Sequence, residues 1–147
     1  MPLSVEEAYR LLAAKLPNYE HRAEQVELTQ QVFAAMRERE HLTAEAPTGT
    51  GKSFAVGMAG HCATVGTEER IVLSTANNNL LSQYATKDLP FLQSVFPDFT
   101  WAQAKGKGNT LCLYKADKLQ RGLDDGLNAL LDWADATETG DRAEVPF

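Results

Sequence analysis

Two cysteines, two tryptophans and three histidines among 147 residues withhold several kinds of chemistry from this sequence. Cys62 and Cys112 are too few for a disulfide framework, and a reducing compartment keeps both as thiols whose plain role is packing. No apolar run is long enough to cross a bilayer. The opening Met1-Pro2-Leu3-Ser4-Val5-Glu6-Glu7 lacks the basic start and apolar stretch of a secretory signal, so the expectation is a cytosolic chain with no membrane partner. Internal repeats and low-complexity tracts are missing too. A net charge of −6 argues against a general nucleic-acid coat protein. A hydrophobic content of 44% suits one compact domain, or the first part of something larger.

What is present centres on Ala46-Pro47-Thr48-Gly49-Thr50-Gly51-Lys52-Ser53. A nucleoside triphosphate presents crowded anionic oxygens, so its site needs backbone N–H groups unobstructed by side chains. Gly49 and Gly51 permit a tight loop, and the amides from Gly49 to Ser53 can converge where a following helix adds its positive dipole end. Lys52 would reach the β and γ oxygens, and the Ser53 hydroxyl would complete the shell of Mg2+. The plain alternative is a glycine turn beside a lysine. Context favours the phosphate loop, because His41–Glu45 has the composition of a short strand and Phe54–Ala59 that of a helix.

Apolar positions Val5, Ala8, Leu11, Leu12 and Leu16 have helical spacing, which Pro17 should end; Ala23–Arg39, with Val26, Phe33 and Met36, predicts a second helix. Gly66 and Thr67 punctuate the chain after the loop's helix, and Arg70–Ser74 reads as a buried strand. With the Leu42 strand it should form a right-handed βαβ unit in a parallel sheet. A helix from Asn77 broken near Pro90, a strand over Phe99–Ala104, a glycine–lysine loop over Lys105–Asn109, a helix within Leu119–Trp133 and a turn over Thr137–Asp141 follow. Fold class is therefore α/β: an incomplete P-loop NTPase domain with two N-terminal helices. The segment Lys105–Arg121 is locally basic, whereas Gly122–Phe147 is acidic and should repel a phosphate backbone.

Two polar groups of residues suit ligands. Tyr19-Glu20-His21-Arg22-Ala23-Glu24-Gln25 places a glutamine amide, donor and acceptor together, where an adenine edge could be read; an exposed helical glutamine is the bland alternative. Thr75, Asn77 and Gln83 follow the second strand and could bond phosphate oxygens of a nucleic-acid strand, although Asn77 or Asn78 could equally cap a helix.

The order of Tyr19–Arg22 with Gln25, Glu45–Ser53, Ser74-Thr75, Lys87-Asp88-Leu89-Pro90 and Lys105–Cys112 resembles the N-terminal part of a DinG-type helicase, a superfamily 2 relative of XPD. Trp133 and Thr139–Arg142 continue the likeness, which spans residues 19 to 147. The resemblance implies a RecA-like motor domain in an ATP-driven enzyme that moves 5′ to 3′ on single-stranded DNA and separates duplexes. Arg22 and Gln25 take the adenine-reading role, Thr48, Gly49, Thr50, Gly51, Lys52 and Ser53 the ATP and Mg2+ roles. Thr75, Asn77, Gln83, Lys105 and Lys107 take the DNA-facing roles. The segments implied are 1–40 (helices with the adenine motif), 41–110 (first part of the motor domain) and 111–147 (start of an inserted subdomain of the iron–sulfur type).

Departures from the family pattern accompany it. Cys112 matches the first of four cysteines that hold an iron–sulfur cluster in many relatives, but such a cluster wants four thiolates and this chain cannot complete one. Cys112 is thus either a ligand in a longer parent or a small buried hydrophobe. Thr110 stands where relatives often have tyrosine, and helicases attached to type IV CRISPR systems lack the cluster. The acidic motif of phosphoryl transfer is imitated only by Leu130–Asp135, whose spacing with Leu123 and Leu127 suits a helix, so this stretch alone should not unwind DNA. Two competing readings are a recruited module docking on a nucleoprotein such as a CRISPR effector, and a small P-loop kinase or ATPase unrelated to DNA.

Overall fold

A computed structural model of the chain describes residues 3–16, 18–119, 121–122 and 124–145; the positions assigned above to Pro17 and Leu123 lie outside them. The chain divides into two compact units, Met1–Gln103 and Ala104–Phe147.

In the first unit, helix α1 (Val5–Lys15) begins at Ser4, whose hydroxyl accepts the Glu7 amide at 3.1 Å, a cap worth about 1 kcal/mol. Its buried stripe of Val5, Ala8, Tyr9 and Leu12 follows the helical period. Helix α2 (Ala23–Glu38) ends where Arg39 turns left-handed at φ 58°. Helix α3 (Lys52–Thr64) is apolar on nearly every side and mostly buried, as expected of a helix enclosed by others. Small residues let its neighbours approach: a Cβ on Gly57 would stand 2.8 Å from the Leu92 side chain.

Helix α4 (Asn78–Gln83) runs through a π-turn (Tyr84–Asp88) into α5 (Leu89–Val95). The break expected at Pro90 is absorbed there. Proline offers no N–H and crowds the carbonyl four residues back, and the wider turn, with the Leu89 amide bonded to the Tyr84 carbonyl, lets the helix continue. Lys15 donates to the terminal carbonyls Ser94 and Val95 of α5, each at 3.0 Å, joining α1 to α5 at the negative end of the latter. Met58 and Cys62 of α3, Leu92, Val95 and Phe96 complete the core with the α1 stripe. Burial pushes the Cys62 thiol up to about 12, so Cys62 is an inert packing residue.

The parallel sheet, and with it the α/β, RecA-like architecture, is a prediction that the structure overturns. Among the described residues there is no strand: His41–Glu45, Arg70–Ser74 and Phe99–Ala104 run without ladder partners. The one β-bridge found there is an isolated antiparallel pair, Thr110 with Asp141. β-Branched composition suggested strands, but a strand is held by inter-strand bonds and, in a parallel sheet, by burial of both faces. Val72 is 89% exposed and Leu42 43%, so these stretches have neither. Ile71 does pack, its Cδ1 lying 3.3 Å from where a Cβ on Gly60 of α3 would be. One side chain against one helix anchors the segment without making it a strand.

In the second unit, α7 (Asp125–Ala136) falls largely within the stretch Leu119–Trp133 expected to be helical, and α6 (Leu113–Asp117) is a separate helix that was not expected. Asp124 caps α7 by accepting the Gly126 amide. The Leu111 amide donates to the Gly140 carbonyl at 2.7 Å, next to the Thr110–Asp141 bridge.

His61 in α3 is 4% exposed, with the rings of Phe96 and Phe99 at 4.7 and 5.5 Å and the Asp98 carboxylate 3.9 Å from Nε2. Burial holds its pKa below the ordinary 6.5, outweighing the attraction of Asp98. The unfolded chain therefore takes up a proton first as pH falls through about 6.5. Stability should drop between that pH and the lower folded value, then level off. Denaturation midpoints taken from about pH 7.5 to about pH 5.5 should fall more steeply for the wild type than for His61→Leu; parallel profiles would show that His61 does not titrate in this window.

Candidate nucleotide site

The loop between α2 and α3 is shaped by its glycines. Gly49 and Gly51 have φ of 88° and 76°, left-handed values that cost an L-residue about 1 to 2 kcal/mol. Gly51 is the N-cap of α3 and provides no side-chain bond to the helix start, so the first amides of α3 face outward as helix-terminal donors do. Lys52, the first residue of α3, folds its ammonium over its own loop and donates to the carbonyls of Ala46 at 2.6 Å and Pro47 at 2.8 Å. The Thr50 hydroxyl donates to the same Pro47 carbonyl at 2.9 Å. Ser53 is half-buried beside Lys52, and Thr48 lies exposed at the loop's tip.

Two side chains from the start of α2 meet this loop. Gln25 Nε2 donates to the carbonyls of Thr50 at 3.4 Å and Gly51 at 3.3 Å, and the Arg22 guanidinium donates to that of Gly49 at 3.4 Å. Residues separated by 25 or more positions thus converge on three consecutive carbonyls. Gly51 must lack a side chain for this, because an ideal Cβ there would fall 1.9 Å from Gln25 Nε2. The loop therefore joins donor-rich amides, a lysine, a hydroxyl, an arginine and a glutamine, none of them a carboxylate.

Behind Gln25 lies a pair that sequence reading missed. Thr29, fully buried, donates from Oγ1 to the Gln25 carbonyl at 2.8 Å, and Tyr9 Oη lies 2.8 Å from Thr29 Oγ1. The only sequence signal was a threonine one helical turn after Gln25, set among residues of an otherwise polar helix.

The residues expected to face DNA divide between the two units. The Asn77 side chain caps α4 by accepting the Leu80 amide at 3.0 Å, and Thr75 donates to the Asn77 carbonyl at 3.0 Å, so capping is what this pair does in the structure. Gln83 is exposed at the end of α4. In the second unit Lys107 is exposed, whereas the Lys105 side chain, only 7% exposed, is ion-paired with Asp141. That bond to Lys105, with a further one from the Ala143 amide, holds the Asp141 carboxyl below the usual range. Lys105 is thus committed to a pair within the second unit.

Cys112 is exposed at the N-cap of α6, which removes its reading as a buried hydrophobe. No group of three or more His, Cys, Asp or Glu side chains suited to a metal ion occurs among the described residues, so the residues present do not fit an iron–sulfur cluster. Asp132 and Asp135, the faint imitation of an acidic motif, lie on one face of α7 and both pair with Arg121, Asp135 at 2.6 Å. Among the described residues no helix is long and apolar enough to cross a membrane.

No family model matches the chain. It is 35% identical over 143 residues to the 3′-5′ exonuclease DinG of Bacillus subtilis, a match covering 92% of this chain and 15% of that protein. It is 34% identical over 106 residues to the ATP-dependent DNA helicase DinG of Escherichia coli K12 and to that of Salmonella typhimurium, covering 71% of this chain and 15% of each. The sequence and the structure define a helical protein with a glycine-rich loop at the head of α3, where donors from α2 converge. More particularly, the chain is a homologue of the DinG proteins, and it spans about 15% of the length of these relatives.

Gly49→Ala should cost only the left-handed backbone term, about 1 to 2 kcal/mol, since nothing lies within 4 Å of a Cβ there. Gly51→Ala should cost more in urea denaturation, and the excess should shrink in a Gln25→Ala background, where the obstructing amide is gone. Equal costs in both backgrounds would mean that Gln25 does not occupy the space beside Gly51.

Proposed function

We propose that the Gly49–Ser53 segment cradles the triphosphate of ATP with Mg2+, and that the chain is the ATP-binding portion of a DinG-type ATP-dependent DNA helicase. The observation that carries this reading is the convergence of Arg22, Gln25 and Lys52 on the carbonyls of one glycine-rich loop at the start of α3. The relatives named as ATP-dependent helicases supply the class of reaction. The different name of the Bacillus relative is not carried over, because the converging groups Arg22, Gln25 and Lys52 are hydrogen-bond donors, whereas strand cleavage with a metal calls for carboxylates to hold it.

The bound nucleotide with Mg2+ would supply the driving free energy through hydrolysis of its terminal phosphoanhydride. The chain's own residues bind and orient it. Amides at the head of α3 meet phosphate oxygens, aided by the helix dipole. Lys52 exchanges its two loop carbonyls for β and γ oxygens, whose negative charge attracts the ammonium more strongly than neutral carbonyls do. Ser53 offers its hydroxyl to the metal. A glutamine amide carries two N–H donors and an acceptor, so Gln25 can touch the loop and read an adenine edge, with Arg22 beside it. Directionality from 5′ to 3′, and contact with single-stranded DNA through Thr75, Gln83 and Lys107, belong to the same proposal, as does the division into segments 1–40, 41–110 and 111–147. The apolar face of α1 lies against the chain's own core, which favours an enzyme part over a recruited docking module.

In the full-length protein that contains this chain, Lys52→Ala should lower ATP turnover and unwinding by about a hundredfold or more with the fold intact. Unwinding at the wild-type rate would refute the assignment. Gln25→Ala should erode the preference for ATP over GTP. For DNA, the two lysines should separate: Lys107→Glu should weaken single-stranded DNA binding and reduce the salt slope by about one unit, whereas Lys105→Glu should unfold the second unit, read by circular dichroism. A folded Lys105→Glu variant with selectively impaired DNA binding would reverse these roles.

A further inference from the structure

We propose that Tyr9 and Thr29 are positioning residues for the Gly49–Lys52 loop, acting through Gln25. Three hydroxyl and carbonyl groups form a directed chain. Thr29 has one hydroxyl proton, and its 2.8 Å bond to the Gln25 carbonyl uses it. The Tyr9 hydroxyl, 2.8 Å away, must then donate to Thr29 Oγ1, with a longer contact of 3.4 Å to the Gln25 carbonyl itself. Burial raises the Tyr9 phenol to about 12, so the donor keeps its proton at any working pH.

The carbonyl so held belongs to the first turn of α2. That turn also contains the Arg22 carbonyl, which accepts the amides of Gln25 and Val26, each at 3.1 Å. Arg22 and Gln25 are the two side chains that reach the carbonyls of Gly49, Thr50 and Gly51. Their bonds to the loop are long, 3.3 to 3.4 Å, so a small rotation of the turn would break them. One short bond from α1, Tyr9 to Thr29, and one within α2, Thr29 to the Gln25 carbonyl, therefore fix the base from which long, weak bonds reach the loop. Thr29 bonding back to the carbonyl one turn earlier competes weakly with the helix. It is here secured by a second helix, so the arrangement sets the angle of this turn and does more than satisfy a buried hydroxyl.

The coupling is a statement about α1, α2 and the loop; only its effect on nucleotide rests on the function proposed above. The test uses hydrogen exchange by mass spectrometry on the full chain, comparing wild type with Tyr9→Phe, Thr29→Val and Thr29→Ser. The first two keep the shape of the side chain and remove the hydroxyl; the serine keeps the hydroxyl. Exchange of the Ala55 amide, which bonds the loop at the Gly51 carbonyl at 2.9 Å, should accelerate about threefold to tenfold in Tyr9→Phe and Thr29→Val, the range of one lost hydrogen bond. Thr29→Ser should stay near wild type, and exchange in α5 should not change in any variant. In the full-length protein the dissociation constant for MgATP should rise by the same factor at unchanged kcat. Unchanged exchange at Ala55, or serine behaving like valine, overturns the coupling whatever the nucleotide does. Faster exchange there in a protein that binds no MgATP even as wild type leaves the coupling standing and removes the phosphate reading instead.

Discussion

Everything at the candidate site depends on the close approach of the Gln25 amide to the backbone at Gly51. The space a Cβ would take at position 51 is filled by Nε2 of Gln25, and the backbone there is left-handed. Two requirements for glycine, one conformational and one steric, meet in a single residue. The consequence is mutual: Gly51 lets α2 touch the loop, and that touch gives the loop donors on its carbonyl side while its amides stay available on the other. A loop bonded through its carbonyls keeps its N–H groups free to point elsewhere, which is the geometry an anion needs.

Helices α1 and α2 were legible because each rests on local periodicity, whereas α3 is apolar on nearly every side and α6 was not expected. The stripe of Val5, Ala8 and Leu12 placed α1, and glycines at 49, 51 and 66 marked where chain direction changes, with positive φ at all three. The apolar run in Arg70–Ser74 misled because a strand is a relation between segments, while Val, Ile and Leu are properties of one. Val72 and Leu42 face solvent, and no sum over local propensities could show that their partners are missing. At the site, residue types and spacing identified the loop, Lys52 and Gln25. Sequence could not show that Gln25 approaches the loop's backbone, nor that Tyr9 and Thr29 stand behind it, because those contacts join positions 16 to 26 residues apart across helices whose mutual rotation is set by packing.

The basic character of Lys105–Arg121 gave a similar lesson in the second unit. A lysine in a glycine-containing loop reads as a mobile cation. Yet Lys105 is paired with Asp141 beside the bridge from Thr110 and the bond from Leu111 to Gly140. Breaking a buried pair by removing one partner costs several times more than an exposed pair contributes, so the charge here is committed to closing the unit. Arg121, bound to Asp132 and Asp135, is drawn the same way by the acidic face of α7. The basic segment and the acidic tail that follows it partly neutralise each other, and the cations left exposed, Lys107 and Lys115 among them, are fewer than the linear sequence suggests.

Lys52 shows how the same principle can serve binding. Its ammonium is held by two loop carbonyls and so is already oriented, at the start of α3, without being locked in an ion pair. Neutral carbonyls are weaker partners for an ammonium than anionic oxygens, which add the attraction of opposite charges. In the nucleotide-binding reading, a phosphate arriving at the loop therefore replaces two modest acceptors with stronger ones and need not first break a salt bridge. Had Glu45, next to the loop, taken the lysine instead, the arriving anion would compete with a carboxylate for it. Retaining the cation on carbonyls alone keeps the side chain ordered at little cost to affinity, and it makes the loop's own backbone, held from behind by Gln25 and Arg22, the part that must stay in register when Lys52 lets go.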